Sequence, residues 1–318
     1  MIRRRFLLAA SLLAPALRPC PARAAQPGFA AFLAGFRQEA ARAGIGRRTL
    51  DRALSALAPD PRVIALDRRQ PEFTQTWAQY RASRLSAARV AAGRAAMARH
   101  AALLRDVETA YGVPAPMVVA IWGMESNYGA VIGDFPTLTA LATLAWEGRR
   151  AALFRREMIA ALTIIDGGMA PGRLIGSYAG AMGQPQFMPS AYLRYAVDFD
   201  GDGARDIWGD TADVLASIAH YLAANGWIAG IGWGAAVTLP PDLDAAHAGP
   251  RGLSEWRALG VAPADDEASF AAEATASLKF PAPGEAYLVS SNFEVIKRYN
   301  ISDYYALAVG LLSEKVRG

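Results

Sequence analysis

Residues 123–129 read Gly-Met-Glu-Ser-Asn-Tyr-Gly and follow an apolar run that begins at Met117 and is predicted to be a helix. Pro116 suits the first turn of that helix, and the polar residues and glycine mark its end. Glu125 therefore lies where a buried helix breaks into a turn. A carboxyl group in such a place is partly withdrawn from water, which favours the protonated form that a general acid needs. An isolated motif of this kind is more often a solvated helix end, so its meaning depends on the rest of the chain.

A second stretch, residues 177–190, combines small residues with hydrogen-bonding side chains. Small residues let the backbone approach a ligand closely. Ser177, Gln184 and Gln186 can form hydrogen bonds with the hydroxyl and acetamido groups of a sugar. The methionines and the phenylalanine of the stretch are expected in the core. The pattern therefore predicts a sugar-binding loop against a packed interior.

A third stretch has aspartates at alternating positions and resembles the first half of an EF-hand calcium loop, where oxygens from positions one, three, five and seven converge on the ion. Its twelfth position is Gly209 instead of the usual glutamate, so closure would have to come from Asp206, Asp210 or Asp213. The alternative is a turn rich in aspartate and glycine that holds no metal. The predicted calcium ligands are Asp198, Asp200, Asp202, Ala204 and Asp213.

A fourth stretch, Tyr299 to Tyr305, precedes the last predicted helix. Asn300 could bind a sugar acetamido group, and the tyrosines could stack on a pyranose ring or form hydrogen bonds with it. Ser302 is suited to cap the helix. Both interpretations can hold, because they use different residues.

Other common catalytic patterns are absent from the sequence. The three histidines, His100, His220 and His247, do not have the spacing of zinc ligands, which argues against a metallohydrolase. The sequence also contains neither the Gly-x-Ser-x-Gly pattern of α/β-hydrolases nor a phosphate-binding P-loop.

The first residues have the pattern of a secretory signal peptide. Arginines at positions 3–5 precede an apolar run over residues 6–17, and residues 22–24, Ala-Arg-Ala, fit a cleavage site. Residues 1–24 are therefore predicted to direct export by either the general secretory or the twin-arginine route. The protein is expected in the periplasm, without a stable membrane span.

The charge balance depends on the same segment. It contains Cys20, the only cysteine of the chain, and five of the 33 basic residues, so the mature chain would carry 28 basic and 29 acidic residues. Thiol and disulfide chemistry are therefore not expected. The formal net charge of +4 comes from the signal and gives no support for nucleic-acid binding.

Apolar residues at helical spacing predict helices over most of the chain, beginning at Phe29 and including residues 85–111 and about 302–314. The amino-acid composition changes over residues 230–289, where clusters of Gly, Pro and Asp separate short apolar segments. This segment is predicted to be a small, partly β insertion.

The four motifs occur in one order along the chain, at residues 125–129, 179–190, 198–203 and 298–306. In this combination the sequence resembles the family B lytic murein transglycosylases, over essentially the whole chain after the signal. The resemblance implies a mainly α fold with a lysozyme-like catalytic core. The implied division is an N-terminal helical domain at 25–110, the core at 111–318 and a small inserted α/β subdomain at 230–289.

The resemblance also implies a role for each matching residue. Glu125 would be the single catalytic acid and base, with Ser177 as its hydrogen-bonding neighbour. Gln186, Asn300 and Tyr305 would contact the substrate. The aspartates would form the family's structural calcium site, and the chemistry itself would need no cofactor.

Two departures from the family pattern stand out. Ala191 follows Ser190 where relatives often have a second serine, and residues 207–213 vary in the half of the loop that completes calcium coordination. The second departure affects the residues that would complete the coordination of calcium. A peptidoglycan-binding repeat, which some relatives carry after the core, is not expected here.

The implied substrate is the glycan strand of peptidoglycan, cut between N-acetylmuramic acid and N-acetylglucosamine to leave a 1,6-anhydromuramic end. The implied partners are cell-wall synthesis or division proteins. One alternative is a lysozyme-type hydrolase, in which Asp134, Glu147 or Asp166 supplies a second carboxylate. Another is a catalytically silent, calcium-stabilised glycan-binding protein.

Overall fold

The computed structural model describes residues 28–69, 75–241, 243, 248–263 and 275–317. Helices dominate these residues, which confirms the prediction of a mainly α fold. The predicted signal, Cys20 and His247 lie outside the described residues. The helices are Phe29–Arg42 (α1), Arg47–Leu54 (α2), Pro61–Arg68 (α3), Trp77–Arg84 (α4), Ala87–Arg99 (α5), Ala101–Tyr111 (α6), Ala115–Ser126 (α7), Thr137–Glu147 (α8), Ala151–Asp166 (α9), Pro189–Tyr195 (α10), Thr211–Ala224 (α11), Leu253–Ala258 (α12), Ser291–Tyr299 (α13) and Asp303–Arg317 (α14).

The strands form two separate sheets. The strands are Phe135–Pro136 (β1), Ile175–Gly176 (β2), Gly234–Thr238 (β3), Arg251–Gly252 (β4), Ala262–Pro263 (β5), Thr275–Ala282 (β6) and Glu285–Val289 (β7). β1 and β2 form an antiparallel pair of two residues each, in which Phe135 is opposite Gly176. The other five strands form an antiparallel sheet in the order β4-β6-β7-β3-β5.

The central helix of the molecule is α7. Among its residues, only Pro116 and Glu125 are not buried, as expected for an apolar helix that is surrounded by others. It packs against α5, α6, α11 and α14. Glu125 is therefore the one carboxylate that this buried helix presents at its C-terminal end.

A second hydrophobic core lies around α8 and α9. Phe36 of α1, Leu50 of α2 and Val63 of α3 are buried in it together with Leu141 and Met158. The first three helices thus share one core with helices that follow residue 110. The proposed domain boundary at that residue stays a prediction.

The five-stranded sheet lies within the segment that is predicted to be partly β. Leu278 and Leu288 of adjacent strands form a small core of their own with Trp256 of α12. On the other side, Trp233 and Tyr287 belong to the core around α7. The sheet is therefore attached to the helical body by aromatic packing.

One predicted helical stretch, residues 85–111, is divided in the structure. α5 ends at Arg99, α6 begins at Ala101, and His100 between them has φ −107° and ψ 21°. The break lets both helices pack on α7, and the His100 ring meets Trp122 of that helix edge-on, with the ring centroids 5.8 Å apart. Tertiary packing thus overrides a continuous helical pattern.

Among the described residues, no helix combines the length and apolar character needed to cross a membrane.

Candidate active site

The turn that follows Glu125 has unusual backbone geometry. Asn127, Tyr128 and Gly129 have φ values of 50°, 60° and 84°, a left-handed region that side chains other than glycine rarely adopt. The Ser126 hydroxyl donates to the Trp122 carbonyl at 3.2 Å and accepts from the Gly129 N–H at 3.0 Å. These bonds end α7 abruptly, directly beyond Glu125.

The Tyr128 side chain lies in a slot between two helical glycines. A Cβ on Gly93 would lie 2.5 Å from the Tyr128 hydroxyl, and one on Gly123 would lie 2.5 Å from its ring. Both positions must therefore lack a side chain. The hydroxyl donates to the Arg89 carbonyl at 2.9 Å, and burial raises the pKa of Tyr128 to about 12. The slot fixes the turn beyond Glu125 against α5.

Glu125 accepts a hydrogen bond from a residue 180 positions away. The Tyr305 hydroxyl donates to Glu125 Oε1 at 2.5 Å. Only 4% of Tyr305 is exposed, and burial together with the negative charge of Glu125 raises the pKa of its phenol well above the ordinary value. Tyr305 therefore remains a neutral donor that orients the carboxyl group.

The start of α14, which carries Tyr305, is held by charges from two other elements. Asp303 pairs with Lys279 of β6 at 3.1 Å and with Lys297 of α13 at 2.8 Å. Burial alone would raise the pKa of Asp303, but the hydrogen bonds and charges of these lysines bring it below its ordinary value. The Ser302 hydroxyl accepts from the Tyr305 N–H at 3.4 Å, as the capping prediction requires.

A cavity of about 390 Å³ lies in front of Glu125 and is called the Glu125 cavity below. Of the predicted site residues, Asn300 and Tyr305 line it together with Glu125. Sequence reasoning did not single out Tyr80 and Arg84 of α4 as members of this cavity. The signal for α4 was present, because Thr76 and Gln79 form a capping box at its start. The described residues that line the cavity are Tyr80, Arg84, Met124, Glu125, Asn300, Ile301, Ser302, Tyr304 and Tyr305.

The glycine-rich stretch contains two glutamines with different surroundings. Gln184 is 8% exposed, accepts from the Trp122 indole at 2.8 Å and donates to the Trp208 carbonyl at 2.8 Å. Its expected role in sugar binding is wrong, because its amide is used to join α7 to the following loops. Gln186 lines a second cavity, of about 330 Å³, and donates to the Gly183 carbonyl at 2.8 Å.

Two further residues connect this stretch to its neighbours. The Ser177 hydroxyl accepts from the Ala181 N–H at 3.2 Å and thus closes its own turn. Tyr299 donates to the Pro185 carbonyl at 2.7 Å, and burial followed by the charge of Glu125 raises the pKa of Tyr299 well above its ordinary value. Ser177 as the neighbour of Glu125 stays a prediction.

The three carboxylates of the hydrolase alternative lie elsewhere. Asp134 and Asp166 are exposed, and Glu147 at the end of α8 pairs with Arg68 at 3.2 Å. In the described part of the chain, none of the three lines the Glu125 cavity.

The aspartate loop, residues 198–206, brings the alternating carboxylates of its sequence pattern close together. Carboxylate oxygens of Asp198, Asp200 and Asp202 all lie within 4.8 Å of one another. Backbone N–H groups organise them, since Asp198 accepts from Gly201 at 2.8 Å and from Gly203 at 2.9 Å. Three converging oxygens on a structured loop fit a hard cation such as calcium.

Asp213 braces this loop from the first turn of α11. It is 1% exposed and accepts from the Phe199 N–H at 2.7 Å and from the Asp206 N–H at 2.6 Å. Burial raises the pKa of Asp213, although these hydrogen bonds oppose the rise. Asp213 is not one of the three converging carboxylates.

The profile of the family described as the transglycosylase SLT domain matches residues 28–314. The chain belongs to this family. The resemblance that the four motifs indicate is therefore confirmed. The Membrane-bound lytic murein transglycosylase B of Escherichia coli (strain K12) is 37% identical to this family member over 213 residues, which are 65% of this chain and 58% of that protein. The match thus spans little more than half the length of that relative.

Solved structures of lytic transglycosylases superpose on this chain. SltB3 from Pseudomonas aeruginosa, in complex with NAG-anhNAM-pentapeptide, is 46% identical and has a TM-score of 0.85, covering 92% of this chain and 80% of that one. The Escherichia coli lytic transglycosylase Slt35, in complex with calcium, is 33% identical with a TM-score of 0.75, covering 90% and 92%. The predicted lysozyme-like fold class is confirmed by these likenesses.

Proposed function

We propose that the protein is a lytic transglycosylase that cuts peptidoglycan glycan strands with Glu125 as its only catalytic carboxylate. Among the residues that the structure describes, Glu125 is the only carboxylate that lines its cavity, and this observation carries the proposal. A hydrolase of the two-carboxylate kind needs a second acidic group at about 5–9.5 Å. Membership of the transglycosylase SLT domain family supports the same reaction.

The reaction uses one carboxyl group twice. Protonated Glu125 donates its proton to the oxygen that links the muramic acid to the glucosamine, and the bond from C1 to that oxygen breaks while the muramoyl N-acetyl group assists. Ionised Glu125 then takes the proton of the C6 hydroxyl of the same sugar, as its oxygen bonds to C1. The product is a 1,6-anhydro ring, and no water is consumed.

Tyr305 orients Glu125 in both steps. Its hydroxyl donates to Glu125 Oε1, a bond that strengthens when the carboxylate becomes ionised. Asn300 is proposed to contact the sugars from the Glu125 cavity, Gln186 from the second cavity, and Ser177 from its own turn.

The proposal is tested by mass analysis of the soluble products that purified peptidoglycan releases. We expect anhydro ends from the wild type, and a rate about 10²- to 10⁴-fold lower from Glu125→Gln, the usual contribution of a general acid or base. Products that are one water heavier would identify a hydrolase. Absence of released products from the wild type would favour the catalytically silent glycan-binding protein, and unchanged digestion by a folded Glu125→Gln protein would mean that another residue is the catalytic acid.

We also propose that the aspartate loop binds a structural calcium ion. Asp198, Asp200 and Asp202 would supply carboxylate oxygens and Ala204 a backbone carbonyl, with Asp213 closing the site or bracing it. When bound, the ion would offset the repulsion among these carboxylates. The calcium complex of Slt35 supports this proposal.

We expect the protein in the cell envelope. The predicted signal at residues 1–24 supports export to the periplasm by the general secretory or the twin-arginine route. The name of the Escherichia coli relative describes that protein as membrane-bound and supports the same compartment. Cell-wall synthesis or division proteins remain the proposed partners.

A further inference from the structure

The β6–β7 hairpin of the inserted sheet contacts both walls of the Glu125 cavity. One wall is α4, which contributes Tyr80 and Arg84, and the other is the start of α14, which contributes Tyr304 and Tyr305. The hairpin, which is described over its whole length, contributes no residue to the lining of this cavity. Any effect of the hairpin on the site must therefore pass through these two helices.

Glu285, the first residue of β7, anchors the hairpin to α4. Its Oε2 accepts from the Trp77 indole at 2.9 Å and from the Arg81 guanidinium at 2.7 Å. Trp77 is only 1% exposed, so its bond to the carboxylate is shielded from water, and hydrogen bonds to a charged group are stronger than neutral ones. The Trp77 ring also meets Tyr287 of β7 edge-on, with the ring centroids 6.4 Å apart. The hairpin is therefore a fixed support beside α4.

Two residues of β6 hold the start of α14. The Lys279 ammonium lies 3.1 Å from Asp303 Oδ2, and the Tyr304 hydroxyl donates to the Pro281 carbonyl at 3.3 Å. Asp303 and Tyr304 directly precede Tyr305 in the first turn of the helix. A shift of this turn would therefore move the hydroxyl that donates to the catalytic carboxyl group.

A purely structural reading of Lys279 is an exposed ion pair, which contributes little to stability. Lys279 differs from such a residue, because only 24% of its side chain is exposed and its ammonium lies over the Phe293 ring, 5.6 Å from the ring centre. Lys297 of α13 holds the other oxygen of the Asp303 carboxylate at 2.8 Å. Loss of Lys279 would thus leave Asp303 paired with α13 alone and release it from the sheet.

We propose that Lys279 is a positioning residue for catalysis, through which the inserted sheet holds the Tyr305 hydroxyl within bonding distance of Glu125. This inference rests on the proposed function, because it assigns a support to the same acid and base. A displacement of about 1 Å caused by a change far from the reacting atoms can cost about 10²-fold in rate. Lys279 should therefore matter more to the rate than to stability.

The kinetics of Lys279→Met test this role, since the variant keeps the apolar stem of the side chain and removes its charge. We expect kcat on peptidoglycan to fall about 3- to 10-fold with KM changed by less than about twofold. The melting temperature should fall by less than about 4 °C. Lys279→Arg, which keeps a cation at this position, should bring kcat to within about twofold of the wild type.

Arg68→Gln is the matched control for these measurements. It removes the ion pair between α3 and α8, and neither partner of that pair lines the Glu125 cavity. Both kcat and KM should therefore stay at the values of the wild type. A fall in kcat as large as that of Lys279→Met would overturn the inference, because loss of any ion pair would then slow the enzyme.

A double-mutant cycle shows whether Lys279 acts through Tyr305. In a Tyr305→Phe background, Lys279→Met should lower kcat by less than about twofold, because the bond that Lys279 positions is already absent. Equal losses of kcat in the two backgrounds, or no loss from Lys279→Met alone, would overturn the inference. A fall in melting temperature above about 10 °C would also overturn it, because the role of Lys279 would then be structural.

Crystal structures supply a measurement that does not depend on cleavage. In Lys279→Met the distance from the Tyr305 hydroxyl to the Glu125 carboxyl group should exceed about 3.5 Å, the limit of a hydrogen bond. An unchanged distance would overturn the inference. Wild-type products without anhydro ends would refute the proposed function alone, since neither this distance nor the double-mutant cycle depends on which product forms.

Discussion

The Glu125 cavity and the aspartate loop are assembled in opposite ways. The cavity depends on contacts between distant parts of the chain, as the bond between Tyr305 and Glu125 across 180 positions illustrates. The aspartate loop is shaped by bonds among its own residues and by Asp213, only 14 positions from Phe199. A local pattern can therefore reveal the loop, whereas the cavity requires the fold. Substitutions should affect activity in the first region and stability in the second.

Of the substitutions that test this difference, Tyr305→Phe is expected to have the largest effect, a loss of activity. The change removes the donor to Glu125 and keeps the shape of the ring, so the carboxylate loses a charge-assisted bond worth about 1.5–3 kcal/mol. We expect kcat to fall roughly 10- to 100-fold. The basic limb of the pH–rate profile, where Glu125 loses the proton that it must donate, should move to higher pH, because ionised Glu125 is less well stabilised without the Tyr305 hydroxyl. Rates measured across pH on peptidoglycan provide the check.

Thermal unfolding of the same variant supplies its control. The melting temperature should change by less than about 4 °C, since the aromatic packing is kept. A large loss of stability with unaltered kcat in the remaining folded protein would show that Tyr305 is a packing residue and not a positioning residue.

Calcium should stabilise the protein through the aspartate loop and have little effect on the Glu125 cavity. Relative to chelated protein, free calcium at about 100 times its dissociation constant should raise the free energy of unfolding by about 2.7 kcal/mol. The activity at 25 °C should change less than about twofold, because the ion would brace a loop that contributes no residue to the Glu125 cavity lining described above. Calorimetric melting and rate measurements with and without chelator would measure both effects.

Asp200→Asn tests whether the aspartate loop is the source of that gain. It removes one of the three converging carboxylates, so most of the calcium-induced rise in melting temperature should disappear. A variant that kept the full rise would place the ion elsewhere. A calcium effect on kcat as large as that on stability would break the contrast between the two regions.

The sequence predicts local features well for a physical reason. Helical spacing predicts α7 and α14, and the alternating aspartates predict a loop whose carboxylates converge, because each pattern depends on neighbours in the chain. Glu125 itself was identified by the turn after its helix together with three other motifs. Which residues surround it could be predicted only where a family motif contained them, as for Asn300 and Tyr305.

The errors and omissions share one cause. Gln184 looks like a sugar ligand in the sequence, but the Trp122 indole, 62 positions away, occupies its amide oxygen. Arg84 belongs to no motif, and its place in the Glu125 cavity follows from the packing of α4 beside α14. Long-range packing of this kind leaves no periodic trace in a single sequence.

The smallest change in stability is expected from removing the ion pair that joins the aspartate loop to Arg173. Arg173 pairs with Asp206 at 2.9 Å, and the two side chains are 58% and 25% exposed. Because the pair is screened by water, Arg173→Gln should lower the free energy of unfolding by only about 0.2–1 kcal/mol, and by less in about 1 M salt. The loop should keep its calcium response, since its own backbone bonds hold the carboxylates together. Denaturant unfolding at two salt concentrations would measure the change. A loss above about 2 kcal/mol would mean that the aspartate loop, like the Glu125 cavity, depends on distant parts of the chain.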